Sequence, residues 1–395
     1  MKEGWEYKTL GECCEILNGY PFKSSLYSNS GIRVIRITNV QKGYVIDSNP
    51  KYYPESKINE ISNFILKNED ILISLTGNVG RVAILQKEFL PAALNQRVAC
   101  LRIKDMIVNK KFLFFYLNND LFEKLCIKNS TGAAQLNMST VWLKKQIIPI
   151  PSYDEQRRIV SYLDSSFKLI DEIKNKALKS LTEAKALFQS ALAEAMEPKE
   201  GWEEKTLGEI ATEMYRGSGI KRDQITPIGF PCLRYGEIYT TYNYSFSECI
   251  SHTNESIISP KKYFEKGDIL FAITGESVED IGKCIAYTGK EKCLLGGDIV
   301  AMKHNQYPQF LAYALSTKEA IRQKGLGKVK LKVVHTNIPA LKTIRIYLPN
   351  LPTQKQIVSR LDKLSSKVRA IEEKYQKMVE ECDALKQAML RDVFE

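Results

Sequence analysis

At 395 residues, with 44% apolar and 26% charged side chains, the chain has ordinary globular composition and room for two or three domains, each with its own core. It shows no apolar stretch built like a secretion signal and no run approaching the ~18 apolar residues of a membrane span, so a cytoplasmic chain without membrane contact is expected. Nine cysteines, an odd number with no C-x-x-C, argue for reduced thiols rather than a disulfide framework, and no metal site is expected. The net charge of +11 is unevenly placed: residues 152–197 and 353–395 together hold 16 Lys/Arg against 16 Asp/Glu, so the whole excess lies in the rest of the chain. Basic surface confined to those regions suits a polyanionic partner.

The chain opens with KEGWEYKTLGE (2–12) and says the same again at 199–209 as KEGWEEKTLGE, with ten of eleven positions identical. The echo continues at an offset of 198 through Arg36/Arg234, Asp70-Ile71-Leu72/Asp268-Ile269-Leu270, Thr76-Gly77/Thr274-Gly275, Leu143-Lys144/Leu341-Lys342 and Pro151/Pro349. It ends in Gln156, Ile159-Val160-Ser161 and Leu163-Asp164, matched by Gln354, Ile357-Val358-Ser359 and Leu361-Asp362. A period of nearly 200 residues exceeds any solenoid repeat, so it marks a duplicated domain with its connector. Between the anchors the halves diverge.

Within each half the runs Ile32–Ile37, Asp70–Ser74 and Lys283–Tyr287 have strand-like content bounded by Gly, Asn and Pro, while Phe112–Asn119 and Phe310–Thr317 form a matched pair of short helices. The Gly- and Pro-free stretch after residue 353 predicts one long helix with an apolar seam at Ile357, Leu361, Leu364, Val368, Ile371, Tyr375, Met378, Cys382, Leu385 and Met389. Moving back by 198 gives the first helix's seam, Ile159, Leu163, Ile170, Ile173, Ala177, Ala184 and Leu187, with small residues between. Bulky Tyr375 and Met378 suit a partner rich in Ala and Ser. Connectivity makes a packed pair antiparallel, a rod of roughly 60 Å for about 40 residues. The alternative is two separate amphipathic helices, each packed on its own domain. The fold class expected is therefore α+β: two mixed α/β domains joined by two long helices in an antiparallel coiled coil, pseudo-two-fold symmetric. Its division is 1–151, 152–198, 199–351 and 352–395.

No catalytic constellation emerges. The chain has no G-x-x-x-x-G-K-[ST] loop, Asn49-Pro50-Lys51-Tyr52 only superficially resembles the amino-methyltransferase signature, and His252, His304 and His335 have no equivalents in the first half. These histidines are expected at the surface or in a binding role. Thr76-Gly77-Asn78-Val79-Gly80, followed by Arg81, either bends amides toward a phosphate or is a plain turn.

The candidate nucleic-acid residues cluster instead. Arg36 is followed by Asn39, Gln41, Lys42 and Tyr44; Arg234 is followed by Tyr235, Glu237 and Tyr239. Arg, Asn, Gln and Glu hydrogen-bond base edges, whereas Lys and backbone amides hold phosphates. A second polar stretch before each helix holds Lys128, Asn129, Gln135 and Asn137 in the first half and Lys328, Lys330 and His335 in the second. The structural alternative is that Arg36 and Arg234 pair with the repeated Asp70 and Asp268.

This ordered, duplicated set, from G-W-x-x-x-x-L-G-E (Gly4–Glu12, Gly201–Glu209) to P-x-x-x-x-Q-x-x-I-V (Pro151–Val160, Pro349–Val358), resembles the specificity (S) subunits of type I restriction-modification enzymes. Thr131–Asn137 is similar to that family's loop before the last strand; Val333–Asn337 departs from it. The resemblance implies a non-catalytic, DNA-binding chain with two target recognition domains, each reading one half of a bipartite asymmetric site in double-stranded DNA. The coiled coil would set the spacer and dock two adenine-N6 methyltransferase (M) subunits. No cofactor would be held by this chain; S-adenosylmethionine belongs to the M subunits, and ATP and Mg to the restriction/motor (R) subunits where these exist. The alternatives are a coiled-coil adaptor for proteins, or the detached recognition subunit of a fused nuclease-methyltransferase system.

Overall fold

The computed structural model describes residues 4–104, 107–132, 135–326 and 333–395. The fold divides into two compact units: Met1–Leu178 with Gln376–Glu395, and Lys179–Tyr375. Each unit thus combines one divergent domain with part of each long helix, a partition that a sequential division of the chain does not express.

In the first unit a four-stranded antiparallel sheet has the order Cys14–Asn18, Val98–Ile103, Ile71–Ser74, Val82–Ile84. Its central strands are buried, as the β-branched content of Asp70–Ser74 demands. A second, three-stranded sheet joins Tyr52–Tyr53, Ile32–Ile35 and Ala92–Leu94, the last pair parallel. In the second unit the equivalent strands grow into two five-stranded sheets, one centred on Ile269–Ala272 and one on Phe230–Leu233. The expected short helices run over Lys110–Leu117 and Pro308–Ala314.

The repeated motifs explain themselves as local joints. In T-L-G-E, Thr9 and Glu12 form a capping box, each closing a backbone donor of the short helix Leu10–Cys13; Thr206 and Glu209 repeat it. The glycine within it lets a second helix approach: a Cβ at Gly11 would lie 3.0 Å from the Lys144 carbonyl oxygen, and one at Gly208 3.3 Å from that of Lys342. The preceding strand, Glu6–Thr9 or Glu203–Thr206, pairs antiparallel with Ile147–Ile150 or Arg345–Leu348 at the domain's end. Each motif tryptophan sets its edge against the matched helix, Trp5 on Phe112 at 6.3 Å and Trp202 on Phe310 at 6.2 Å. Phe394 also packs on Phe112, at 5.3 Å, so that helix carries both Trp5 and the last turn of the second long helix.

The two long helices span Tyr153–Ala195 and Leu351–Phe394. The repeated glutamine at the start of each is fully buried and locks helix to domain. Gln156 accepts from the Asn109 amide (2.7 Å) and donates to the carbonyls of Ile107 (3.0 Å) and Pro151 (2.9 Å). Gln354 accepts from the Tyr307 amide and donates to the Pro349 carbonyl and the Gln306 side chain, both at 2.8 Å.

Within each unit the long helices pair antiparallel as a coiled coil. In the first, Lys174 bonds Asp383 at 2.6 Å and Lys386 bonds Asp171 at 2.5 Å, while Ile159 and Leu163 share a cluster with Leu390. In the second, Ala184, Phe188 and Leu192 share a core with Val358, Leu361 and Val368. Leu163, Ile170, Ala177 and Ala184 are buried seam residues, and Ile357, Leu364, Tyr375, Met378 and Met389 are half-buried.

Four expected seam residues are not in the seam: Ile173, Leu187, Ile371 and Leu385 are 49%, 60%, 43% and 51% exposed. At these turns the helices face inward with the next residue, Lys174, Phe188, Glu372 or Lys386. A lysine can line a seam with its methylene stem while its ammonium reaches a rim carboxylate, as Lys174 and Lys386 do. Counting only apolar residues selects the neighbouring phase.

Candidate nucleic-acid interface

The expected DNA-facing segments of the first unit come together through backbone bonds. The Gly77 amide donates to Leu136 O (2.9 Å), Met138 N to Leu75 O (2.8 Å) and Gly43 N to Val82 O (2.8 Å), so the segments around residues 36–46 and 75–82 meet the described residues 135–138 beside the strands Ile71–Ser74 and Val82–Ile84. Side chains tie the same junctions. The Thr76 hydroxyl donates to Asn137 Oδ1 at 3.0 Å, and Arg81 Nη1 donates to Gln41 Oε1 at 2.6 Å.

The second unit repeats the junction with other residues. Thr274-Gly275 pairs with Val334-His335, the Thr274 hydroxyl lies 3.1 Å from His335 Nδ1, and Thr336 N donates to Ile273 O. His335 therefore stands 198 residues on from Asn137 and meets the matching threonine. The repeated threonines organise this site in both halves. Their signal in the sequence was the T-G echo, which by itself also fits a plain turn.

Each candidate residue can now be placed. Tyr44 is 54% exposed, and Asn78, Lys128, Gln135, Asn137, Tyr235 and His335 are also exposed at or near these junctions. Asn129 is exposed and its amide caps a helix through Leu125 O. Lys328 and Lys330 lie outside the described residues.

Others are spent within the fold. Asn39 is buried: it accepts from Arg36 N (3.0 Å) and donates to the carbonyls of Ile46 and Ser48, which shapes the loop rather than offering a polar edge. Glu237 accepts from Arg234 N and from the Ser251 hydroxyl, and the Tyr239 hydroxyl donates to Thr274 O (3.1 Å) and Asp280 O (3.3 Å). Lys42 reaches Asp120 at 2.5 Å and Glu123 at 2.7 Å. Burial opposes its charge, but the hydrogen bonds it donates to these two carboxylates outweigh it and hold its pKa above the usual lysine value. An ammonium neutralised by two carboxylates has little left for a phosphate, which corrects the expectation for Lys42.

The structural alternative for the repeated arginines is overturned. Asp70 is held by Arg102, with Nε at 3.0 Å and Nη2 at 2.8 Å, and Asp268 lies 3.5 Å from Lys303 Nζ. Both aspartates also close the turn before their strand, accepting from Lys67 N and Glu265 N. Arg36 instead donates to the Asn49 carbonyl and keeps its buried Nε unpartnered.

The histidines divide. His335 is exposed; His304 is half-buried, accepts from Gln306 N at 3.0 Å, and burial pushes its pKa down to about 4; His252 has a buried Nδ1 without a partner. Among the described residues no group of three or more His, Cys, Asp or Glu could hold a metal ion, and no helix is long and apolar enough to cross a membrane.

Comparison with known proteins gives a consistent result. Type I restriction modification DNA specificity domain matches residues 2–183 and again 199–381. The EcoAI specificity subunit of Escherichia coli is 32% identical over 44% of this chain; that match spans only 30% of the relative's length. The EcoBI specificity subunit of Escherichia coli is 24% identical over the whole of this chain and 86% of its own. A solved chain from work on complex assembly and conformational transition of the type I R-M system superposes with a TM-score of 0.72, at 18% identity, over all of this chain and 98% of that one. The family match covers both halves of the repeat, the same halves that carry the capped motifs, the buried glutamine joints and the loop junction, and the chain belongs to the type I restriction-modification DNA specificity family.

Proposed function

We propose that this chain selects DNA for a type I restriction-modification complex and performs no catalysis itself. Each recognition domain reads one half of a bipartite, asymmetric site in duplex DNA. The paired long helices set the number of unread base pairs and dock two adenine-N6 methyltransferase subunits, which bring S-adenosylmethionine; restriction/motor subunits with ATP and Mg would add cleavage. The observation that carries this reading is the duplicated junction: one frame of threonine, glycine and backbone pairing presents Asn137 in the first unit and His335 in the second. A shared frame bearing different hydrogen-bonding side chains is what two different half-sites require. The basic excess outside the long helices supplies the sequence-independent attraction to the backbone.

The test is single-molecule sequencing of DNA from cells that express the chain with its cognate methyltransferase subunit. N6-methyladenine at a two-part motif of constant spacing is the expected outcome. A complex that assembles but leaves adenines unmodified would reject target selection and favour a protein-binding adaptor.

A further inference from the structure

The turn after the buried central strand differs in length between the units, and this hides an equivalence. Gly80 and Gly282 both have positive φ, +83° and +70°, where a side chain would be strained. A Cβ on Gly80 would meet Cys126, and one on Gly282 would meet Lys324, two positions 198 residues apart. The strand that follows pairs in the same register in both units: Ile71 lies opposite Ile84, and Ile269 opposite Ala286. The stretch from Thr274 to Gly282 is therefore four residues longer than that from Thr76 to Gly80, and the residue structurally matched to Arg81 is Lys283.

Both cations reach back to the divergent loop of their own unit. Arg81 Nη1 donates to Gln41 Oε1 at 2.6 Å; Lys283 Nζ lies 3.4 Å from Tyr239 O and 3.5 Å from Tyr242 O, at the outer limit of a hydrogen bond. Neither forms an ion pair among the described residues, in contrast to Lys42 with its two carboxylates. Lys283 is half-buried, and burial pulls its pKa below the ordinary lysine value, which nearby Asp280 only partly offsets. A half-buried ammonium with two weak carbonyl contacts gains from an arriving anion more than an exposed lysine would.

We propose that Lys283 and Arg81 are matched phosphate contacts, each taking a phosphodiester oxygen of the duplex at the base of its unit's recognition loop. This rests on the DNA reading above and adds a residue that the offset of 198 conceals. The test uses the assembled complex of the full chain with its methyltransferase and a duplex carrying the motif recovered from methylated DNA. Affinity is measured across a series of salt concentrations. K283M and R81M should each reduce the slope of log affinity against log salt by about 1 and weaken specific and unrelated duplexes alike, whereas K283R keeps the wild-type slope. K283Q replaces K283M if the methionine variant fails to assemble. A K283M or K283Q complex that retains the wild-type slope, however weakly it binds, overturns the proposal and leaves Lys283 a brace for its loop. A wild-type complex that shows no preferred motif fails at the earlier step and rejects DNA selection itself.

Discussion

Replacing the buried glutamine at the start of each long helix should have unequal effects in the two units. Gln156→Ala removes one fully buried bond, to the Pro151 carbonyl, and two partly buried bonds to backbone groups of Ile107 and Asn109 that cannot move away. A buried carbonyl left unpaired costs about 1–3 kcal/mol and each partly wetted group about 0.5–1 kcal/mol, so unit one should lose roughly 3 kcal/mol. Gln354→Ala strands the Pro349 carbonyl and the Tyr307 amide, but its third partner is the Gln306 side chain, which can rotate toward water. Its cost should be nearer about 2 kcal/mol. Urea unfolding followed by tryptophan fluorescence separates the units, because Trp5 and Trp142 report on the first and Trp202 on the second. The reasoning is refuted if Gln156→Ala shifts the first transition by less than about 0.5 kcal/mol, the scale of a surface substitution, or if Gln354→Ala costs more than Gln156→Ala.

Other perturbations address reading and spacing. Inserting one heptad after Lys174 and another before Asp383, which face each other, adds about 10 Å of helix, the length of about three base pairs; methylome sequencing should show a longer spacer or no modification, and an unchanged spacer would exclude the helices as a ruler. Exchanging residues 13–150 for those of a relative should change one half-site and leave the other intact in the same assay; a change in both would refute modular reading. His304 gives a pH dependence. Its folded pKa of about 4 lies below the ordinary 6.5, so the native state binds fewer protons than the unfolded state between these values. The second unit should therefore carry no penalty above pH 6.5 and lose stability as the pH falls from 6.5 toward 4. His304→Asn should flatten that slope in urea titrations read at Trp202.

Much of the fold was legible because its signals are local or repeated. The capping boxes need only a threonine three residues before a glutamate, and the long helices announce themselves by the absence of Gly and Pro over more than ten turns. The repeat itself located the joints: Gln156 and Gln354, Trp5 and Trp202, and Gly11 and Gly208 recur because each joins a domain to its helix or closes its sheet. The identity of the loops that meet at the candidate interface was also readable, since Thr76, Asn137, Thr274 and His335 fall in polar segments that precede or follow matched elements.

What only the tertiary structure decided is which of several local possibilities each side chain takes. Apolar spacing alone admits two phases along the long helices, and the phase with Lys174 and Lys386 inward prevails because their stems fill the seam while Asp383 and Asp171 meet their charges from the facing helix. Lys42 reads in sequence as a free cation beside Gln41; the carboxylates that neutralise it, Asp120 and Glu123, stand 78 and 81 residues away. Asp70 belongs to Arg102 rather than to the repeated Arg36, since the adjacent antiparallel strand carries Arg102 beside it. The equivalence of Arg81 and Lys283 surfaces only when strand register replaces chain offset. The sequence by itself determined the elements, their duplication and the joints between them, because those depend on contacts within a few residues or on a copied frame. The fate of each charge and each polar edge depended on partners brought near by folding, and no spacing along the chain encodes that distance.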